Sequence, residues 1–422
     1  MISERVVKKS KRIVLTPASN ILAHAGRCII LARELTRRGH QVILAGSPKY
    51  LNDPEVVRDK DIRFYQLPDL SVEEAMVMLR TMSKTIRRSS VEKHMDAELE
   101  MFNVLKPDLV IVDFRLSIYI SARVAKVPLI SLLEGRWIEQ YSVRKWKAIR
   151  TLPQYPFIRL LLGEKTADRI MPFFQRLILK YKILSYQAAF KKYGLEKKKS
   201  MGDLLTGDYN LILDTQLWTP TEHLPGNFRQ VGPIYWAPEN TMPHWVKELD
   251  RKRPIIYLTL GSTGHEDLFQ KLFKVFGETE YQILVSTGGQ IDISDHEIPK
   301  DFYLERYLPG EEIMTLADVV IHHGGTGTAY QAIKTFTPCI VIATHFEQEF
   351  LGEATEELGV GIFLSMIEVL KNPSLILEST QKIFAHLETY KMNMMRLKKD
   401  LETYDPVRTA ADTIEDFLQM AA

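Results

Sequence analysis

Short runs rich in Val and Ile alternate with longer segments of helical period from one end of this chain to the other, and nothing else narrows its fold as much. In the first half the runs are Arg12 to Thr16, Gln41 to Ala45, Leu109 to Val112, Leu129 to Leu132 and Leu211 to Asp214. In the second they are Ile255 to Leu260, Gln282 to Ser286, Val319 to His322 and Cys339 to Ala343. Unbroken apolar strands are strands buried on both faces, and the segments between them supply the helices that cover those faces. Between the first two runs, Cys28, Leu31, Ala32 and Leu35 fall at i, i+3, i+4 and i+7, and Gly39 stops the helix. The expected class is α/β with parallel sheets.

A chain of 422 residues has room for two domains with separate cores. The alternation breaks at Phe228 to Tyr235, a Gly-Pro turn, continues through the polar stretch Ala237 to Pro243, and then restarts. Domains are therefore expected at 1-232 and 233-405. From Val407 to Met420 a single apolar stripe predicts an amphipathic helix, so 406-422 is expected to be a tail helix that must dock.

Several classes are excluded or not expected. No apolar run approaches the roughly 18 residues of a bilayer span. The basic N-terminus leads into a strand pattern without a small-residue cleavage site, so no signal peptide is expected. Cys28 and Cys339 are the only cysteines, which rules out a disulfide or zinc framework and predicts buried thiols in a cytoplasmic protein. Net charge is only +2, yet Arg136 to Ser200 holds sixteen Lys/Arg against four acids, with aromatic residues such as Trp146, Tyr155, Phe157, Phe173 and Phe174 interleaved. Two readings of that segment stay open: solvated basic helices, or a region that contacts anionic membrane peripherally. Nucleic acid is not an expected partner, because no binding fold accompanies the charge.

The stretch VIHHGGTGTAYQ, Val320 to Gln331, places Gly324, Gly325 and Gly327 between a strand and a helix. At such a turn free backbone N–H groups and the positive helix end favour an anion, and Thr326 and Thr328 add hydroxyls. A tight turn with no ligand is the plainer alternative. Comparable turns follow at Gly261 to Gly264 and Ser286 to Gly289, and glycine turns at the carboxyl ends of parallel strands define a crevice. Neither a lysine-bearing phosphate loop nor a Gly-x-Gly-x-x-Gly after the first strand is present. In the first half His24 follows the first strand and Asp113 closes another; by itself His24 reads as a solvated loop histidine.

From Tyr307 to Gln348 the chain resembles the donor-binding signature of family 1 nucleotide-sugar glycosyltransferases, and HHGGTGT is most similar to the antibiotic and sterol branch. The elements are Tyr307-Leu-Pro309, His323-Gly-Gly325, Pro338 fifteen residues after His323, and Glu347-Gln348 at twenty-four and twenty-five. The resemblance implies a GT-B fold: two Rossmann-like domains facing across a cleft, acceptor domain first and donor domain second, with the tail helix packing back on the first. It implies that Tyr307 stacks on the nucleobase and that the Leu308 backbone pairs with the base edge. Gly261, Ser262, Thr263, His323, Gly324, Gly325, Thr326, Gly327 and Thr328 would hold the diphosphate, and Glu347 and Gln348 the sugar hydroxyls. Gly310 stands where Gln is frequent, and Gln331 where plant members carry a ribose-binding Glu. A UDP-sugar is the favoured donor, with a dTDP-sugar the alternative.

The N-terminal pattern is similar as well: His24, then a helix closing in Arg38-Gly-His40, although Arg27 replaces the usual proline. By that resemblance His24 is the general base and Asp113 its partner, for inverting transfer of a hexose to a hydroxyl of a small or lipid-like acceptor. No metal and no cofactor beyond the nucleotide-sugar co-substrate is expected; Asp59-Lys-Asp61 reads as a solvated turn. The alternatives are a sugar-nucleotide 2-epimerase and a non-catalytic nucleotide-sugar binding protein.

Overall fold

A computed structural model describes residues 10–54, 56–71, 74, 85–138, 150–151, 155–221, 223–237, 241–261, 266–289 and 298–420. The apolar runs form two parallel sheets. The first comprises β1 (Arg12–Pro17), β2 (Gln41–Gly46), β3 (Arg63–Gln66), β4 (Leu109–Asp113), β5 (Leu129–Leu133), β6 (Tyr209–Ile212) and β7 (Phe228–Gln230), in the order β3-β2-β1-β4-β5-β6-β7. The second comprises β8 (Ile255–Thr259), β9 (Gln282–Ser286), β10 (Phe302–Glu305), β11 (Val319–His322), β12 (Cys339–Ala343) and β13 (Gly361–Ser365), in the order β10-β9-β8-β11-β12-β13. Strand order therefore reverses between β1 and β4 and again between β8 and β11. In open α/β sheets such reversals leave a crevice beyond the strands' carboxyl ends, where ligands bind. Pro17 pairs with Asp113 at the first reversal and Thr259 with His322 at the second.

Each sheet has an apolar cluster on both faces. Val14, Ile43 and Val112 point to one side of the first sheet, and Ile13, Leu15, Leu44 and Ile111 to the other. The helix Leu22–Arg37 covers the second of these faces with Ala25, Cys28, Ile29, Leu31, Ala32 and Leu35, all fully buried. Cys28 and Cys339 are both buried free thiols. No described helix is long and apolar enough to cross a membrane.

The sequence misses four strands and misplaces one. β3 and β10 are edge strands with half-buried residues, so neither shows an unbroken apolar run. β7 has only three residues. β13 opens on Gly361, where a Cβ would lie 2.1 Å from the Cys339 carbonyl oxygen, so close strand approach selects the residue that looks least strand-like. β6 lies two residues earlier than Leu211 to Asp214, because Asp214 leaves the ladder and accepts a 2.7 Å hydrogen bond from the Gly135 amide.

The tail helix, Pro406–Met420, returns to the first sheet's side and packs on the helix Leu22–Arg37. Ala410, Ala411 and Ile414 enter the same apolar cluster as Cys28 and Leu31. Arg38 donates to Asp412 at 2.6 Å and to Glu415 at 2.9 Å, while His40 meets Glu415 at 3.3 Å. The Arg-Gly-His turn is thus a clasp for the tail.

Candidate active site

His24 sits in the first turn of the helix after β1, and Asp113 ends β4, so both stand at the first reversal. Their separation, His24 Nδ1 to Asp113 Oδ1, is 2.7 Å, with Asp113 almost fully buried. Phe114 follows with φ of 60°, a left-handed conformation costly for an aromatic residue, and its ring stacks on the His24 imidazole at 5.4 Å. Arg27 approaches both: its Nε lies 3.1 Å from Asp113 Oδ2 and its Nη2 lies 3.1 Å from His24 Nδ1. A guanidinium only donates, so it competes with Asp113 for that nitrogen. The carboxylate at 2.7 Å takes the Nδ1 proton, which leaves Nε2 as the basic nitrogen.

Glu134, directly after β5, extends this charged group. It pairs with Arg136 and lies 3.4 Å from Arg27 Nη1. Burial opposes its ionisation, but Arg136 and Arg27 hold the carboxyl at about 2. Asp214 behaves in the opposite way: burial, and then the charge of Glu134, push its carboxyl up. Tyr330 donates to Asp214 Oδ1 at 3.0 Å from across the molecule.

The second reversal is built mainly from backbone. Gly324 has φ of +90°, and a Cβ there would stand 2.9 Å from that of Gln348. Gly261 has φ of +60°, and its Cβ would meet the His323 ring at 2.4 Å. The two glycines let the turn fold tightly around His323, and the helix Thr326–Thr335 begins immediately after it. Burial pushes His323 down to about 4 and His322 to about 3, so both rings are neutral. His322 accepts from the Gly324 amide at 3.2 Å, whereas the buried Nδ1 of His323 has no hydrogen-bond partner.

Two cavities meet at these groups. One, of about 180 Å³, runs from Arg27 to the glycine turn and is lined by Gly261, Tyr307, Leu308, His323, Gly325, Thr326, Gly327, Thr328 and Gln331. The other, of about 150 Å³, is mostly apolar and holds His24 and Glu347 together, with Phe114, Trp137 and Phe346 as an aromatic row. Burial pushes the Glu347 carboxyl up to about 7, against the pull of Arg136. Across the cleft Thr326 donates to Glu134 Oε1 at 2.9 Å, a direct bond between the two halves.

The structure thus brings together His24 and Asp113 on one side and most of the second-half residues on the other. Ser262 and Thr263 lie outside the described residues, as do 139–149 and 152–154 of the basic segment. Gln348 is buried, and its carbonyl accepts from the Thr344 amide at 2.7 Å and hydroxyl at 2.9 Å, which leaves its amide NH₂ for other partners. Asp59 accepts from Arg33 at 2.6 Å, and no metal-holding group of His, Cys, Asp or Glu occurs among the described residues. Sequence reasoning passed over Glu134, Arg136, Asp214 and Tyr330. Glu134 and Asp214 carry the signal that singled out Asp113, an acid just past a strand's carboxyl end.

Residues 270–415 match the model of the erythromycin biosynthesis protein CIII-like C-terminal domain. A PGL/p-HBAD biosynthesis glycosyltransferase of Mycobacterium tuberculosis is 29% identical over 363 residues, 85% of this chain and 82% of that protein. A PGL/p-HBAD biosynthesis rhamnosyltransferase of Mycobacterium bovis is 28% identical over 361 residues, 84% and 77%. The spinosyn rhamnosyltransferase SpnG, in complex with spinosyn aglycone, superposes with a TM-score of 0.68 at 13% identity, covering 95% of this chain and 99% of that one; SpnG has also been solved with thymidine diphosphate.

Proposed function

This chain is a glycosyltransferase of GT-B fold with an EryCIII-like C-terminal domain, and from that premise we propose that it moves a hexose from a pyrimidine nucleotide diphosphate sugar to a hydroxyl, with inversion, using His24 as general base. The observation that carries the proposal is the cavity shared by His24 and Glu347, adjoining the one beneath the glycine turn. An acceptor in the His24 cavity and a donor beneath the glycine turn would set a hydroxyl between the imidazole and the sugar.

As the acceptor oxygen bonds to the anomeric carbon, its proton passes to Nε2 of His24, and the imidazolium is stabilised by Asp113. The bond from the anomeric carbon to the diphosphate breaks on the opposite face. The departing charge falls on the amides at the start of the helix Thr326–Thr335 and on the unpartnered Nδ1 of His323. A neutral imidazole can offer a phosphate an N–H, and Tyr307 and Leu308 line the same cavity where the base would lie. Glu347 reaches the sugar hydroxyls from the acceptor side. None of these steps calls on a metal.

A UDP-sugar remains a candidate donor, but dTDP-sugars join it on equal terms: SpnG has been solved with thymidine diphosphate, and Gln331 is an amide in place of a ribose-binding carboxylate. The mostly apolar second cavity suits a lipid-like or aromatic acceptor. The test measures melting-temperature shifts with UDP, dTDP and their sugars, then follows transfer to an aromatic alcohol and a lipid-linked phenol with and without chelator. Stabilisation by either nucleotide and chelator-resistant transfer are expected. No nucleotide response, or activity restored only by a divalent metal, would overturn the proposal.

A further inference from the structure

Eight of the fourteen large apolar side chains exposed among the described residues lie between Phe157 and Leu184. They belong to two consecutive helices, Tyr155–Leu162 and Glu164–Lys182, and to the start of a third, Leu184–Lys192. Leu160 is 81% exposed, Phe173 69% and Leu161 64%. On the second helix Phe173, Leu177 and Tyr181 recur every four residues, and Leu184 continues the stripe. Leu179 points elsewhere, into the apolar cavity beside His24. The helix is therefore apolar on two faces, one lining the cavity and the other carrying the exposed Leu177 and Tyr181. A helix of that kind needs a second apolar surface.

Lys165, Arg169 and Lys180 are exposed on the same helix. They lie within the stretch Arg136 to Ser200, whose excess of cations has no equal elsewhere in a nearly neutral chain. Long apolar side chains bordered by Lys and Arg, on one helix too short and another too charged to span a bilayer, fit the boundary between acyl chains and anionic headgroups. Leu179 and Lys182 of the same helix line the His24 cavity.

We infer that the helices Tyr155–Leu162 and Glu164–Lys182 form a docking surface for an anionic lipid bilayer, which sets the mouth of the His24 cavity at the membrane so that a lipid-borne acceptor enters without crossing water. Only the last clause rests on the glycosyltransfer reading of the cavity. The docking itself is independent of donor and acceptor, so failure of one reading leaves the other standing.

The full-length protein is sedimented with vesicles of phosphatidylcholine alone and of phosphatidylcholine mixed with phosphatidylglycerol. Binding to the anionic vesicles, weakened by salt, is expected. Two variants are compared: Leu160→Ser with Leu161→Ser and Leu177→Ser, and Lys165→Glu with Arg169→Glu. Each should lower the vesicle partition by roughly tenfold or more, and because all five side chains are exposed, both should melt like the parent. Failure of the parent to bind anionic vesicles overturns the inference, as does charge-reversal binding equal to the parent's. So does a dimer in analytical ultracentrifugation that the serine variant dissociates, since a second copy would then cover the stripe.

Discussion

The two sheet reversals face each other and are furnished in opposite ways. At β1 and β4 the groups are charged, buried and paired with one another: His24 with Asp113, and Arg27 with Asp113 and Glu134. At β8 and β11 they are glycines in left-handed conformations and two neutral histidines. Proton transfer needs a titratable group whose partner fixes its tautomer, whereas holding a diphosphate needs backbone amides and little side-chain bulk. The difference is what the proposed division of labour rests on, with proton transfer at the first reversal and the leaving group at the second.

Removing the proposed base tests that contrast with the largest effect. His24→Ala should lower the transfer rate by about a thousandfold, as expected for a general base, while the melting-temperature shift given by nucleotide stays as in the parent. Loss of the nucleotide shift together with the rate would erase the division. The converse variant, Gly324→Ala, forces a Cβ into the left-handed region against Gln348. It should weaken nucleotide binding by about tenfold or more, given a strain of order 1–3 kcal/mol, in a calorimetric titration. Unchanged binding there would mean the turn is merely a tight connection.

Two buried carboxylates sharpen the comparison further. Glu134 is held ionised by two arginines, whereas burial pushes Glu349, which accepts from the Thr151 amide and sits on the second-half helix Phe346–Glu357, up to about 8. An acid whose folded pKa is raised contributes stability that is fully present below its unfolded value of 4.5 and is lost as pH rises through about 8. The melting temperature of the parent should therefore fall between pH 5 and 8.5 by several degrees more than that of Glu349→Gln, and parallel curves would contradict the assignment. The smallest effect is expected from Arg38→Ala, which opens the tail clasp; a loss of about 1 kcal/mol, typical of a partly exposed ion pair, should appear in denaturant unfolding with nucleotide binding intact.

Much of this was legible in the chain itself. Unbroken runs such as Leu109 to Val112 identify central strands because burial on both faces leaves no polar position, while edge strands such as Phe302–Glu305 escape because solvent reaches one side. Tyr307, His323 and Glu347 stood out by their spacing over forty residues, and the structure sets Tyr307 and His323 in one cavity and Glu347 in the other. Glu134 could not, since its partners Arg27 and Thr326 are more than a hundred residues away in one direction and nearly two hundred in the other, and Arg136 matters through Glu134. The motif Arg38-Gly-His40 was visible, but its task was not, because Glu415 lies 375 positions from His40.

The bond from Thr326 to Glu134 carries one more implication. That hydroxyl has a single proton to give, and Glu134 already holds it. Under the proposed donor binding a phosphate oxygen at the turn takes that same proton, so the donor displaces an anion belonging to the chain. Glu134 then leans wholly on Arg27 and Arg136, and Arg27 is also the cation beside His24. Word that the nucleotide has arrived can thus reach the base through one carboxylate changing partners, with no movement of either sheet.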